Sequence, residues 1–93
     1  MSRQIVTEER FERAYRQLSE RDQFLVDNAL RNFWSYLESR QAAVGLGIKH
    51  LGGRVYEFRA GLKLRIVYVI TENQLILSLL GTHDEVIRFL KSR

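Results

Sequence analysis

The chain has 93 residues, 15 Lys or Arg against 11 Asp or Glu, and a formal net charge of +4, which makes one small basic domain read as 1–93. It contains no cysteine, so a disulfide framework and thiolate chemistry are excluded. The longest unbroken apolar run, residues 66–70, is far too short to span a bilayer, and no secretory signal opens the chain, so the expectation is a soluble cytoplasmic protein with no membrane partner.

In chain order, residues 3–6 suit a short edge strand. Thr7 is placed to cap a helix whose first turn carries Glu8 and Glu9. Phe11, Ala14, Tyr15 and Leu18 then recur at i, i+3, i+4 and i+7, the spacing of an amphipathic helix. Ser19 opens a second helix, with Asp22 three residues on as in a capping box. Phe24, Leu25, Ala29, Leu30, Phe33, Trp34 and Leu37 give that helix a wide apolar stripe, which is simplest as a core-facing surface. The short connection predicts an antiparallel helical hairpin. Residues 41–53, punctuated by Gly45, Gly47, Gly52 and Gly53, read as a mobile loop carrying Lys49 and His50.

Three runs rich in Val, Ile, Leu, Tyr and Phe follow, broken at Ala60-Gly61 and at Thr71-Glu72-Asn73. Breaks this short suit consecutive antiparallel strands and exclude a parallel crossover. A last helix is expected from Asp84, with Val86, Ile87, Phe89 and Leu90 inside and Lys91 and Arg93 near its end. The fold class is therefore α+β: an N-terminal antiparallel helical hairpin packed on a twisted antiparallel sheet, with a short C-terminal helix.

Alternation assigns the faces. Tyr56 and Phe58 point one way, with Leu64, Ile66, Tyr68 and Ile70; Glu57, Arg59 and Arg65 fall on the other face. His83 follows the third run directly, so two guanidiniums, a carboxylate and an imidazole are expected together. The charge agrees: residues 1–48 hold seven basic and seven acidic residues (7 − 7 = 0), residues 49–93 eight and four (8 − 4 = +4). A basic half points to a polyanion, or to a charged surface kept for solubility.

Each candidate has two readings. His83 can exchange a proton near neutral pH, or it merely hydrogen-bonds the turn. Arg65, between Leu64 and Ile66, is costly unless paired or at an open face; it is a phosphate ligand or the partner of Glu57 or Glu72. Arg59 admits the same two readings. Glu57 is a base, or the counter-ion that orients the arginines, and the second is preferred. Lys49, His50, Arg54 and Lys63 can line a nucleic-acid groove, or are simply solvated. The two histidines lack metal-ligand spacing, so neither a metal nor a cofactor is expected. Gly45 and Gly47 open no strand–helix phosphate loop.

The order aromatic-Glu-aromatic-Arg at 56–59, Leu-Arg-Ile-Val-Tyr at 64–68 and Leu-Leu-Gly-Thr-His-Asp at 79–84 resembles the RelE/ParE superfamily of bacterial toxins, the toxin halves of type II toxin–antitoxin pairs. The resemblance covers most of the chain and implies the fold just described. Its RelE-like branch consists of metal-independent endoribonucleases that cut mRNA in the ribosomal A site, using the RNA's own 2′-hydroxyl as nucleophile. Arg65 matches the family's strand arginine, His83 a histidine that some members carry after the last strand, and Arg59 a position often basic. Some members have lysines where this chain has Val55 and Glu57, and several end on a catalytic tyrosine, whereas the last tyrosine here is Tyr68. The ParE-like branch inhibits DNA gyrase instead, and a third reading is a non-catalytic binding module of the same fold. His83 together with Arg65 favours the ribonuclease. The partners implied are mRNA on the ribosome and a cognate antitoxin, in a complex that can be a heterotetramer.

Overall fold

In the computed structural model, which describes residues 3–41 and 45–92, eight elements follow one another: β1 (Gln4–Thr7), α1 (Glu9–Gln17), α2 (Glu20–Ser39), β2 (Lys49–Gly52), β3 (Val55–Ala60), β4 (Leu64–Ile70), β5 (Gln74–Thr82) and α3 (His83–Lys91). The strands make one sheet in the order β1-β5-β4-β3-β2. The helical pair lies on one face and α3 on the other. Among the described residues no helix is long and apolar enough to cross a membrane.

The sheet is mixed, which corrects the all-antiparallel expectation. The strands from β2 to β5 pair antiparallel, but β1 runs parallel to β5, Gln4 opposite Gln74 through Thr7 opposite Leu77. The Gln4 amide donates to Asn73 O and Arg3 Nε to Thr71 O, so the β4–β5 turn anchors the N-terminal strand. The expected edge strand is thus real, one residue later than read. A second correction concerns the loop. Gly52 and Gly53, at φ 124° and 55°, turn the chain, so Lys49–Gly52 pairs with β3 as a strand instead of remaining mobile. Residues 42–44 of the expected loop lie outside the described residues, as does Arg93.

Helix starts differ in detail. Ser19 caps α2 as expected, its hydroxyl accepting from the Asp22 amide at 3.1 Å. Thr7 is not a cap: it belongs to β1, and Glu8 stands at the N-cap of α1 with no side-chain bond. α3 starts at His83, one residue before the expected Asp84, with Thr82 as its cap. The helical pair is tied by Tyr15, whose hydroxyl donates to Asp27 at 2.8 Å; that bond raises the phenol's pKa.

The main core lies between the pair and the sheet. Phe33 of α2 is fully buried and stacks on Phe58, ring centroids 4.3 Å apart, with Tyr68 at 4.7 Å. Burial pushes the Tyr68 phenol up, with Tyr36 and Tyr56 adding to the effect. Gly61, at φ 72°, turns β3 into β4, a backbone conformation that favours glycine; a Cβ there would stand 2.9 Å from Leu25 Cδ1 and displace that side chain's tip. A smaller cluster on the other face joins Val55 and Val67 to Val86 of α3, with Leu51, Val69, Leu79, Phe89 and Leu90 around it.

The register of β5 shifts midway. Val67 faces Leu79 but Tyr68 faces Leu77, leaving Ser78 as a bulge. Leu75, Leu77 and Leu80 thereby all reach the main core while Leu79 turns to the α3 face. The same shift puts Gly81 opposite Arg65.

Candidate active site

Directly opposed residues of paired strands share a face. Two such rows define the site. In one, Lys49 of β2, Glu57 of β3 and Val67 of β4 stand side by side; in the next, Arg59 of β3, Arg65 of β4 and Gly81 of β5 do. The expected trio Glu57, Arg59 and Arg65 is therefore assembled, and Lys49 joins it. Three cations and one carboxylate thus share one face of the sheet.

They form two layers. Glu57 and Arg65 are sunk in the sheet, their side chains 10% and 15% exposed, with Arg65 Nε 3.5 Å from Glu57 Oε2. Of the partners expected for Arg65, Glu57 is the one found; Glu72 lies exposed in the β4–β5 turn. The pair leaves capacity over: Arg65 Nη1 is buried and has no hydrogen-bond partner among the described residues. Arg59 and Lys49 are exposed above. The Arg59 amide donates to Leu46 O at 2.8 Å, and its stem lies against Gly47, where a Cβ would stand 3.2 Å from Arg59 Cδ. Arg59 and Arg65 are opposed in register, and like charges so placed are destabilising. An anion between them would relieve that repulsion and complete the bonding of Arg65.

His83 is exposed and is the first residue of α3, two residues beyond the glycine that faces Arg65. Its position is set by the capping box beside it. Thr82 Oγ1 accepts from the Glu85 amide at 3.3 Å, and Glu85 Oε1 accepts from the Thr82 amide at 2.9 Å. The Glu85 side chain crosses Gly81 closely; a Cβ there would stand 2.9 Å from Oε1.

The other expected RNA-binding residues are dispersed. His50 follows Lys49 on β2 and so faces the opposite side of the sheet, packed on Tyr56 with centroids 4.8 Å apart and Nε2 2.7 Å from Gly53 O. Arg54 sits in the β2–β3 turn and Lys63 in the β3–β4 turn, at opposite ends of β3. They do not form one groove. Sequence reasoning missed Lys49's place beside Glu57, the Ser78 bulge and the Glu85–Gly81 contact. Of these, the Glu85–Gly81 contact had a signal, Thr-x-x-Glu at 82–85; the other two depend on strand pairing. Among the described residues no group of three His, Cys, Asp or Glu gathers as a metal site would.

This fold, a helical pair on one face of the sheet and a short helix on the other, is similar to that of solved toxins, among them a RelE and a YoeB/ParE toxin. The solved structures similar to the chain include the following toxins. A metal-bound toxin from Helicobacter pylori is 27% identical, covering 91% of this chain and 99% of its own, with a TM-score of 0.61. The RelB-RelE antitoxin-toxin complex from Methanococcus jannaschii matches at 12% identity, 90% and 96% coverage and TM-score 0.64. A YoeB/ParE toxin from Agrobacterium tumefaciens matches at 16% identity, 86% and 98% coverage and TM-score 0.64. No protein-family model and no curated protein matches the sequence.

Proposed function

We propose that the chain is the toxin of a type II toxin–antitoxin pair and cleaves mRNA on the ribosome. The observation that carries this reading is Arg65: a guanidinium sunk in the sheet, paired on one side with Glu57, with no partner at Nη1 among the described residues, and opposed in register to Arg59. Such an arrangement suits a phosphodiester, whose oxygens match the planar fork. Similarity to toxins, one of them solved with its antitoxin, supports the toxin role and a cognate antitoxin as partner.

The chemistry follows from the groups present. The 2′-hydroxyl of the RNA loses its proton and attacks the adjacent phosphorus. Arg65 and Arg59 stabilise the charge that develops on the phosphoryl oxygens, and Glu57 keeps Arg65 in place. His83 is the proton carrier, and the bond to the 5′-oxygen breaks as that oxygen is protonated. The products are a 2′,3′-cyclic phosphate and a 5′-hydroxyl. The nucleophile is internal to the substrate, so no activated water is needed. The ribosome would supply the orientation of the 2′-hydroxyl that so sparse a site does not provide.

Primer extension on programmed ribosomes with chelator present tests this. Wild type should cut mRNA. Arg65→Ala and His83→Ala should each lose roughly 10²–10³ in rate, the usual cost of one charge-stabilising group, with unchanged circular dichroism. A supercoiling assay with DNA gyrase belongs beside it: intact mRNA with blocked supercoiling would move the chain to a ParE-like activity, and no effect in either assay would leave a binding module.

A further inference from the structure

A second basic surface lies beyond the site, on the other flank of α3. That helix rests across β4 and β5. Lys49, Glu57 and Arg59 occupy the β2–β3 side. On the β5 side, between α3 and α1, lies a shallow, widely open groove of about 550 Å³ whose lining includes Arg10, Leu79, Glu85, Arg88, Phe89 and Lys91. Its lining holds three cations and one carboxylate; that carboxylate is committed to the Thr82 amide, and of the cations Arg10 is paired with Glu8 from outside the lining.

We propose that this groove binds the phosphate backbone of single-stranded RNA, as a site separate from the one that carries Arg65. Arg10 is held in place from two directions: Nη2 lies 3.1 Å from Glu8 Oε1, and the guanidinium stands over the Phe89 ring, 4.9 Å from its centroid. An ordered cation of this kind spends little entropy when it meets an anion. Facing it, Arg88 and Lys91 are three residues apart on one helix and so project side by side. Neither has an ion pair among the described residues. Leu79, on the floor, lies on the same sheet face as Arg65, so an RNA strand leaving the phosphate site across the start of α3 would enter this groove. The choice of RNA over an acidic protein segment rests on the proposed function; the groove's charge does not.

The bland alternative is that Arg88 and Lys91 only complement the C-terminal dipole of α3, where cations are favoured in any helix. The two readings part in one experiment. A fluorescein-labelled single-stranded 2′-O-methyl RNA, which cannot be cleaved through its 2′-oxygen, is titrated with the wild-type chain and with the double variant Arg88→Glu/Lys91→Glu, and binding is followed by anisotropy over a range of salt. The variant is expected to bind about tenfold or more weakly, with a salt slope smaller by about 1–2, since each lost phosphate contact removes roughly 0.7. Arg65→Ala should keep the groove's share of binding.

An unchanged Kd and slope with a lowered Tm would overturn the proposal in favour of the dipole role. Unchanged RNA binding with lost binding to a polyglutamate peptide would overturn it in favour of an acidic protein partner. The outcome is separable from that of the cleavage assay. RNA held by the groove without any mRNA cleavage would remove the ribonuclease reading and leave the groove. Cleavage with an indifferent double variant would do the reverse.

Discussion

Arg65 and Glu57 are the residues on which the site turns. Two arginines are opposed in register across β3 and β4, and one carboxylate, 3.5 Å from Arg65 Nε, pairs with Arg65 there. Glu57→Gln keeps the size of the side chain and removes the charge. It should lower stability by about 1–3 kcal/mol, the usual cost of leaving a buried polar group without its partner, read as a lower urea midpoint at constant slope. The same variant should gain more from added sulfate than wild type does, because a site left with two uncompensated guanidiniums binds an anion more tightly in the folded state alone. Equal stability in the two proteins would mean that Glu57 is not the counter-ion. This trio was legible in the sequence because a strand has period two: once Tyr56 and Phe58 face the core, Glu57 and Arg59 cannot. Lys49 and His50 were not separable in the same way. Their faces depend on pairing with β3, and a four-residue strand ending in glycine gives no alternation to read.

At the level of elements, the start of α3 decides where His83 stands. Glu85 reaches back over Gly81 to bond the Thr82 amide, and it has room only because position 81 lacks a Cβ. Gly81→Ala should force Glu85 away and open the capping box. The expected cost is about 1 kcal/mol, or a Tm lower by roughly 4–8 °C for a domain of this size. Cleavage should fall further than stability explains, because His83 moves with its helix. Glu85→Gln retains the acceptor and should behave like wild type. If Gly81→Ala were as active and as stable as wild type, the close approach would have no structural role. The helices, β3 and β4 were all readable from their apolar spacing. The bulge in β5 was not, since residues 75–80 are apolar at every position but Ser78 and a continuous run carries no phase. The parallel seat of β1 was equally hidden: the N-terminal residues suit an edge, but nothing local specifies the strand they join.

Across the whole molecule, one sheet serves two unequal cores. On one side, Phe33 packs against Phe58 and Tyr68 within a broad cluster fed by both N-terminal helices. On the other, α3 rests on Val55, Val67 and a few half-buried neighbours, with Arg10 bracing Phe89 from α1. An element held by so little apolar contact should open before the rest unfolds. Amide hydrogen exchange would show this as protection in α3 well below that of β4. Phe33→Ala should cost about 3–5 kcal/mol, a large share of the roughly 5–15 kcal/mol that holds such a domain together, and should lower protection throughout the chain. Phe89→Ala should lower protection in α3 while β4 keeps its own. Its effect would also reach the groove, because Arg10 loses the ring that steadies it. If Phe89→Ala instead lowered protection in α3 and β4 alike, the two cores would unfold as one unit, and His83 would sit on a helix as firmly held as the strands that carry Arg59 and Arg65.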